Sequence, residues 1–319
     1  MLFKTNLCKG ILGLGLSILC GTSFGQSAQL PYSDMDSWIM REIKESGIIG
    51  GNTRTLYEIG RPDTIREAKA HEHGDSPWET SSVYAKVSGI VKGSSTVFPE
   101  KRGSGYCARL ETRLEEVVVL GIINLKVLAT GTIFSGSITE PVRDSKDPMQ
   151  KLMQGIPFTK RIKGIRFDYK TKTGGKRIKA TGFSKSKLPG KNAADVCVLL
   201  QKRWEDKDGN IYAKRIGTGW VRFTQSTPDW INGYELPVHY GDITKSAVYQ
   251  PYMNLYQGEN IICGINSKGE SKQITETGWG TESDQPTHII IRFSAGYGGA
   301  YVGAVGDNLW IDNVELIEE

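Results

Sequence analysis

The chain has 319 residues, 24% of them charged, and a formal net charge of +5 at pH 7. That surplus is too small for a protein held to nucleic acid through many phosphate contacts, so no nucleic-acid partner is expected. After the N-terminal segment, no run approaches the roughly 20 apolar residues that a membrane-spanning helix needs.

Residues 1–25 follow the order of a secretory signal peptide: basic Lys4 and Lys9, an apolar stretch from Ile11 to Leu19, then Ser23 and Gly25 flanking Phe24. Cleavage is expected before Gln26, with export to the periplasm, the outer-membrane surface or the medium. Cys20 raises a lipoprotein alternative, but Leu19 stands where a small residue usually precedes a lipidated cysteine. Loss of Lys4 and Lys9 lowers the charge to about +3. Three cysteines then remain, Cys107, Cys197 and Cys263, enough for at most one internal disulfide. Cys197 and Cys263 lie in apolar runs, which favours buried free thiols.

From residue 26 onward the chain reads as one β-rich domain, with 26–77 supplying first strands and a polar loop. Glycine occurs 38 times, and short apolar or alternating runs recur between turn signals, the pattern of a sandwich or barrel. Asp36-Ser37-Trp38 opens a strand, Thr55 to Glu58 forms a second, and Ile65 to Glu72 is loop or a single helical turn. His71 and His73 would share a face if extended, as a metal site requires, although two histidines in a polar stretch before Pro77 are more often an exposed loop. Val117 to Leu120 and Ile122 to Leu128 read as core strands joined at Gly121. The basic run Lys170 to Lys179, with Gly174-Gly175 at its centre and no interleaved aromatics, reads as a solvated hairpin.

Lys207-Asp208-Gly209 predicts a three-residue hairpin loop with Gly209 left-handed, which sets Trp204 opposite Tyr212. An EF-hand needs its glycine at the sixth position, whereas Gly209 is fourth with Asp206 counted as the first, so this turn needs no ion. Trp204 and Trp220 have apolar neighbours and are expected to be buried. Trp78, Trp230 and Trp279 stand among prolines and glycines and are expected in loops, where binding residues concentrate. Further on, Ile289, Ile291 and Phe293 alternate onto one strand face, with Arg292 on the other. Three common enzyme motifs are absent: Gly-x-Ser-x-Gly, His-Glu-x-x-His and the phosphate-binding Gly-x4-Gly-Lys-Ser/Thr loop.

Five blocks in order, Gly103 to Thr112, Gly131 to Gly136, Gly155 to Thr159, Phe167 to Lys170 and Trp310 to Val314, resemble the bacterial family named "putative carbohydrate metabolism domain". The resemblance runs from about Trp78 to Leu316. It departs at Arg161-Ile162, where the family tends to have proline after arginine. It implies an all-β jelly-roll sandwich similar to carbohydrate-binding modules, exported by bacteria that use polysaccharides, with no catalytic residues to carry over.

Such a fold would bind oligosaccharide or polysaccharide through aromatic platforms beside charged groups. Trp78, Trp230 and Trp279 are the candidate platforms, with Arg109 nearby or else paired with Glu111. A structural calcium between first and last strands is a further implication, with Asp36 and Asp312 as oxygen donors. Three functions remain open: non-catalytic glycan binding in the cell envelope, a glycoside hydrolase using a carboxylate pair drawn from acids such as Glu205, Glu276 or Asp284, and a module packing against outer-membrane glycan-uptake proteins.

Overall fold

The computed structural model describes residues 29–72, 74–119, 123–144, 148–182, 184–258 and 261–319. The signal segment, Cys20 and the Gly121 junction lie outside them. So does His73, and with it the paired-histidine reading.

The expectation of an all-β sandwich holds, with three short 3-10 turns as the helical elements among the described residues. One layer is a five-stranded sheet in the order Ile231–Pro237, Ile162–Lys172, Asn308–Glu318, Gly105–Glu111, Val97–Arg102. The facing layer is a ten-stranded sheet centred on Ala194–Glu205, His288–Ser294 and Ile211–Phe223. Alternation along each strand sends one set of side chains between the layers. Ile165, Phe167, Leu309, Ile311 and Leu110 from the smaller sheet meet Val196, Val198, Ile289, Ile291 and Phe293 from the larger in one core. Phe167 and Phe293 touch edge to face across the gap, with ring centroids 5.2 Å apart.

The larger sheet is buried on its other face too. Cys197, Leu199, Ile211, Trp220 and Ile290 form a second core, closed by Ile243, Met253, Tyr256 and Ile262 from the segment after the sheet's central hairpin. The first eight residues of Ala194–Glu205 are therefore all buried, and the sequence from Val196 to Leu200 is a continuous apolar run. The predicted face of Ile289, Ile291 and Phe293 is correct. Its reverse face carries Ile290 into the second core, and Arg292 there is paired with Asp195 at 3.4 Å.

Residues 26–77 supply Trp38–Lys44 and Thr53–Ile59 as expected, paired antiparallel, with Asp63–Ile65 added in parallel. The Trp204 hairpin also forms as expected: Gly209 has φ +83°, and Trp204 pairs with Tyr212 with ring centroids 6.0 Å apart. Asp206 accepts hydrogen bonds from the Asp208 and Asn210 amides, so its carboxylate closes the turn.

Several expectations need correction. Trp204 is 43% exposed, because its strand runs past the edge of the core. The basic run is not a hairpin: Ile162–Lys172 pairs within the five-stranded sheet, whereas Lys176–Gly182 pairs with Lys185–Lys191 in a separate sheet. The run is a crossover. Arg113–Val119 and Ile123–Ala129 form a hairpin; Leu128 is buried, but Leu125 and Val127 are only half-buried, so that arm is not a central core strand.

Candidate functional site

The outer face of the five-stranded sheet gathers aromatic and charged residues from distant parts of the sequence. Register places Phe98 opposite Arg109, Arg109 opposite Trp310, and Trp310 opposite Lys170. Residues directly opposite one another share a face, so these four form one row across four strands. The Arg109 guanidinium lies 4.5 Å from the Phe98 ring centroid and pairs with Glu111 at 2.6 Å and Glu100 at 2.9 Å. Trp310 donates its indole N–H to Glu100 at 2.9 Å, and the Lys170 ammonium sits 5.7 Å from its ring. Arg109 therefore does pair with Glu111, and it does so beside a tryptophan that the sequence reading left out of the site.

A second cluster lies on the same face. Asp168 stands directly opposite Asp312, an arrangement of like charges that would be destabilising alone. Arg102 resolves it: its Nη1 reaches Asp168 at 2.9 Å and Asp312 at 2.5 Å, while Nη2 donates to Asn232 at 2.6 Å. The same guanidinium lies 3.9 Å from the Trp230 ring centroid, a cation–π contact. Local backbone makes this possible. The register slips between Arg166 and Asp168, a β-bulge, and Asn313 adopts φ +49° there, so Asp312 and Asn313 both turn outward. Asn313 then donates its side-chain N–H to Asp168 at 2.9 Å.

The two aspartates differ electrostatically. Burial pushes the Asp312 carboxyl above the usual range, and Arg102 offsets this only in part. At Asp168 burial acts the same way, but hydrogen bonds from Asn313, the Gly233 amide and Arg102 outweigh it and hold that carboxyl low. Beneath them Cys107 is buried, and burial together with Asp312 pushes its thiol up to about 12. Cys107, Cys197 and Cys263 are all free and buried.

Of the residues singled out in the sequence, Arg109, Trp230 and Asp312 thus come together on this face. Trp78 does not. It opens the strand Trp78–Thr80, is 0% exposed, donates its indole N–H to the Pro31 carbonyl at 3.0 Å and packs on Phe293. It has no face to offer a sugar. Trp279 ends the strand Ser271–Trp279 in the opposite layer, packed against the second core.

The calcium donors do not fit an ion. The Asp312 carboxylate is neutralised by a guanidinium, which would repel a divalent cation, and Asp36 accepts the Tyr106 amide at 2.6 Å. Among the described residues no group of three or more His, Cys, Asp or Glu side chains is placed to hold a metal. Glu276 is wholly buried, bound in two places by Arg215 and once by Gln201, which makes it a structural acid. Glu205 accepts from the amide and hydroxyl of Ser267, and Asp284 is held below the usual range by the Thr281 amide and Lys202.

No protein-family model matches the chain, and no curated protein matches it. Solved structures do. A protein from Bacteroides thetaiotaomicron, described as "a putative glycoside hydrolase", is similar over 92% of this chain and 72% of its own, at 16% identity and a TM-score of 0.51. Another of the same description from Bacteroides vulgatus gives 17% identity over 92% and 96%, with a TM-score of 0.41. A carbohydrate-binding module specific for non-crystalline cellulose gives 10% identity over 80% and 95%, with a TM-score of 0.28. The first of these likenesses is close enough to carry the fold, and the fold alone, to this chain.

Proposed function

We propose that the chain is an exported, non-catalytic glycan-binding protein of the bacterial cell envelope, which takes its ligand on the outer face of the five-stranded sheet. The observation that carries this reading is the row Phe98, Arg109, Trp310, Lys170 beside the Arg102–Trp230 cluster. Sugars present a C–H face to an aromatic ring and hydroxyls to charged groups at its rim, and this surface supplies both. The description of the Bacteroides thetaiotaomicron structure as a glycoside hydrolase adds a carbohydrate setting.

Hydrolysis is the second reading, favoured by the oppositely shifted carboxyls of Asp168 and Asp312. A hydrolytic pair needs room for the scissile bond between carboxylates about 5 to 9.5 Å apart. Here one guanidinium nitrogen contacts both carboxylates and fills that space, which favours binding. A glycan array on the protein lacking residues 1–25, followed by incubation with each hit and analysis for released sugar, tests both. Retention without release is the expected result; release that Asp168→Asn abolishes would establish the hydrolase instead.

A further inference from the structure

The ribbon formed by Lys176–Gly182 and Lys185–Lys191 carries Lys176, Arg177, Lys179, Lys185, Lys187 and Lys191 and no acidic residue. All five lysines are exposed. Among the described residues, none of the six side chains has a carboxylate within ion-pairing distance, although ion pairs are frequent elsewhere on this surface. Lys176 stands directly opposite Lys191, which costs stability in the isolated protein. The Arg177 guanidinium lies 4.2 Å from the Tyr297 ring centroid, and Arg222 lies 4.2 Å from the same centroid. Arg222 is paired with Asp195 at 2.8 Å, so of the two guanidiniums on this ring it is Arg177 that brings charge without a carboxylate partner to the foot of the ribbon. Arg177 Nη1 donates to the Pro189 carbonyl at 3.3 Å, while its buried Nε has no acceptor in the protein.

Lysines on an edge strand discourage unwanted strand pairing, and Lys185–Lys191 is such an edge. That role leaves Arg177 and Lys179 unexplained, because their strand is interior to its sheet, between Lys185–Lys191 and Ile123–Ala129. The register sets Lys176, Lys185, Lys187 and Lys191 on one face of the ribbon and Lys179, opposite Ser186, on the other, so seven residues of strand carry cationic groups along both faces over about 20 Å, longer than a single small anion. The charge is also continuous along the chain with the aromatic face: Lys170 sits against Trp310, and Lys172 follows it two residues on.

We infer that this ribbon is a docking surface for an acidic polysaccharide, whose carboxylate groups it takes up along the two strands. The inference rests on the glycan-binding reading and narrows it to a ligand class. Binding is then partly electrostatic and falls as salt screens exposed charges.

The test is affinity electrophoresis of the protein lacking residues 1–25 through gels containing polygalacturonate, or the same polymer with its carboxylates methyl-esterified. The variants are Lys185→Gln/Lys187→Gln/Lys191→Gln and Lys176→Gln/Lys179→Gln; a third arm measures sedimentation with anionic phospholipid vesicles. Wild type should be retarded by polygalacturonate, less so as salt rises, and far less by the ester. The triple variant should bind roughly tenfold more weakly, as expected for three exposed ion pairs, with its circular dichroism spectrum unchanged. Equal retardation by acid and ester, undiminished binding by both variants, or sedimentation with vesicles without retardation by polygalacturonate would each overturn the inference. A neutral glycan still bound through Trp310 would leave the broader reading standing after such a failure, whereas absence of all glycan binding would remove both.

Discussion

Arg102 and Trp230 are joined face to ring, the guanidinium 3.9 Å from the indole centroid, while the same guanidinium separates Asp168 from Asp312. One side chain thus fixes both an aromatic platform and the acids beside it. Arg102→Ala should leave two opposed carboxylates unpaired and cost about 2 kcal/mol, below the ~3–5 kcal/mol of a fully buried pair because this one is partly exposed. Urea denaturation measures the loss. It should shrink as pH falls and the aspartates become protonated.

Glu58 predicts a pH effect in the N-terminal sheet. Burial and the neighbouring Glu79 push its carboxyl well above the usual range, against the attraction of Arg41. A carboxyl raised in the folded state contributes stability that is complete below its ordinary value of about 4.3 and is lost as pH rises through the raised one. Glu58→Gln keeps an oxygen for Arg41 and offers N–H to the Thr80 hydroxyl, which now donates to Glu58. The variant should therefore gain on wild type in thermal melts as pH rises from 5 to neutral, values bracketing the upper end of the carboxylate range, and lose that advantage in acid. A difference that does not change with pH would contradict the account.

Trp78→Ala removes a fully buried indole and should cost on the order of 3–5 kcal/mol. Any glycan affinity of the fraction that stays folded should be unchanged. Guanidinium denaturation and binding on the same sample separate the two effects.

The thiols should be inert in the native protein. Cys107 is pushed up to about 12 and Cys197 to about 11 by burial, and nucleophilic attack requires the thiolate. In the protein lacking residues 1–25, a colorimetric disulfide reagent should label none of Cys107, Cys197 and Cys263 until denaturant is added, and all three afterwards. Rapid labelling of the folded protein would show the burial to be wrong.

The elements legible in the sequence were those set by local rules. Alternation placed Ile289, Ile291 and Phe293 on the core face, and the turn at Gly209 fixed the Trp204–Tyr212 pair. Burial of the tryptophans was not local. Trp78 looked like a loop residue beside Pro77, yet the segment around Pro31 folds over it; Trp204 had apolar neighbours, yet its strand overruns the core. The site row joins Phe98, Arg109, Lys170 and Trp310 through pairings between distant strands, which one sequence does not reveal. A partial signal was present. Leu309 and Ile311 alternate with Trp310 and Asp312, so an inward apolar pair already implied an outward tryptophan and acid.

The central claim is that sugar stacks on the sheet's outer face, and it is tested most directly by measuring the affinity of Trp310→Ala and Trp230→Ala for a polysaccharide that the wild type binds. Loss of a stacking ring should weaken binding by about 1–3 kcal/mol, roughly 5- to 150-fold, with little change in melting temperature because both rings are only half-buried. Undiminished affinity in both variants, with the wild-type fold retained, would contradict it.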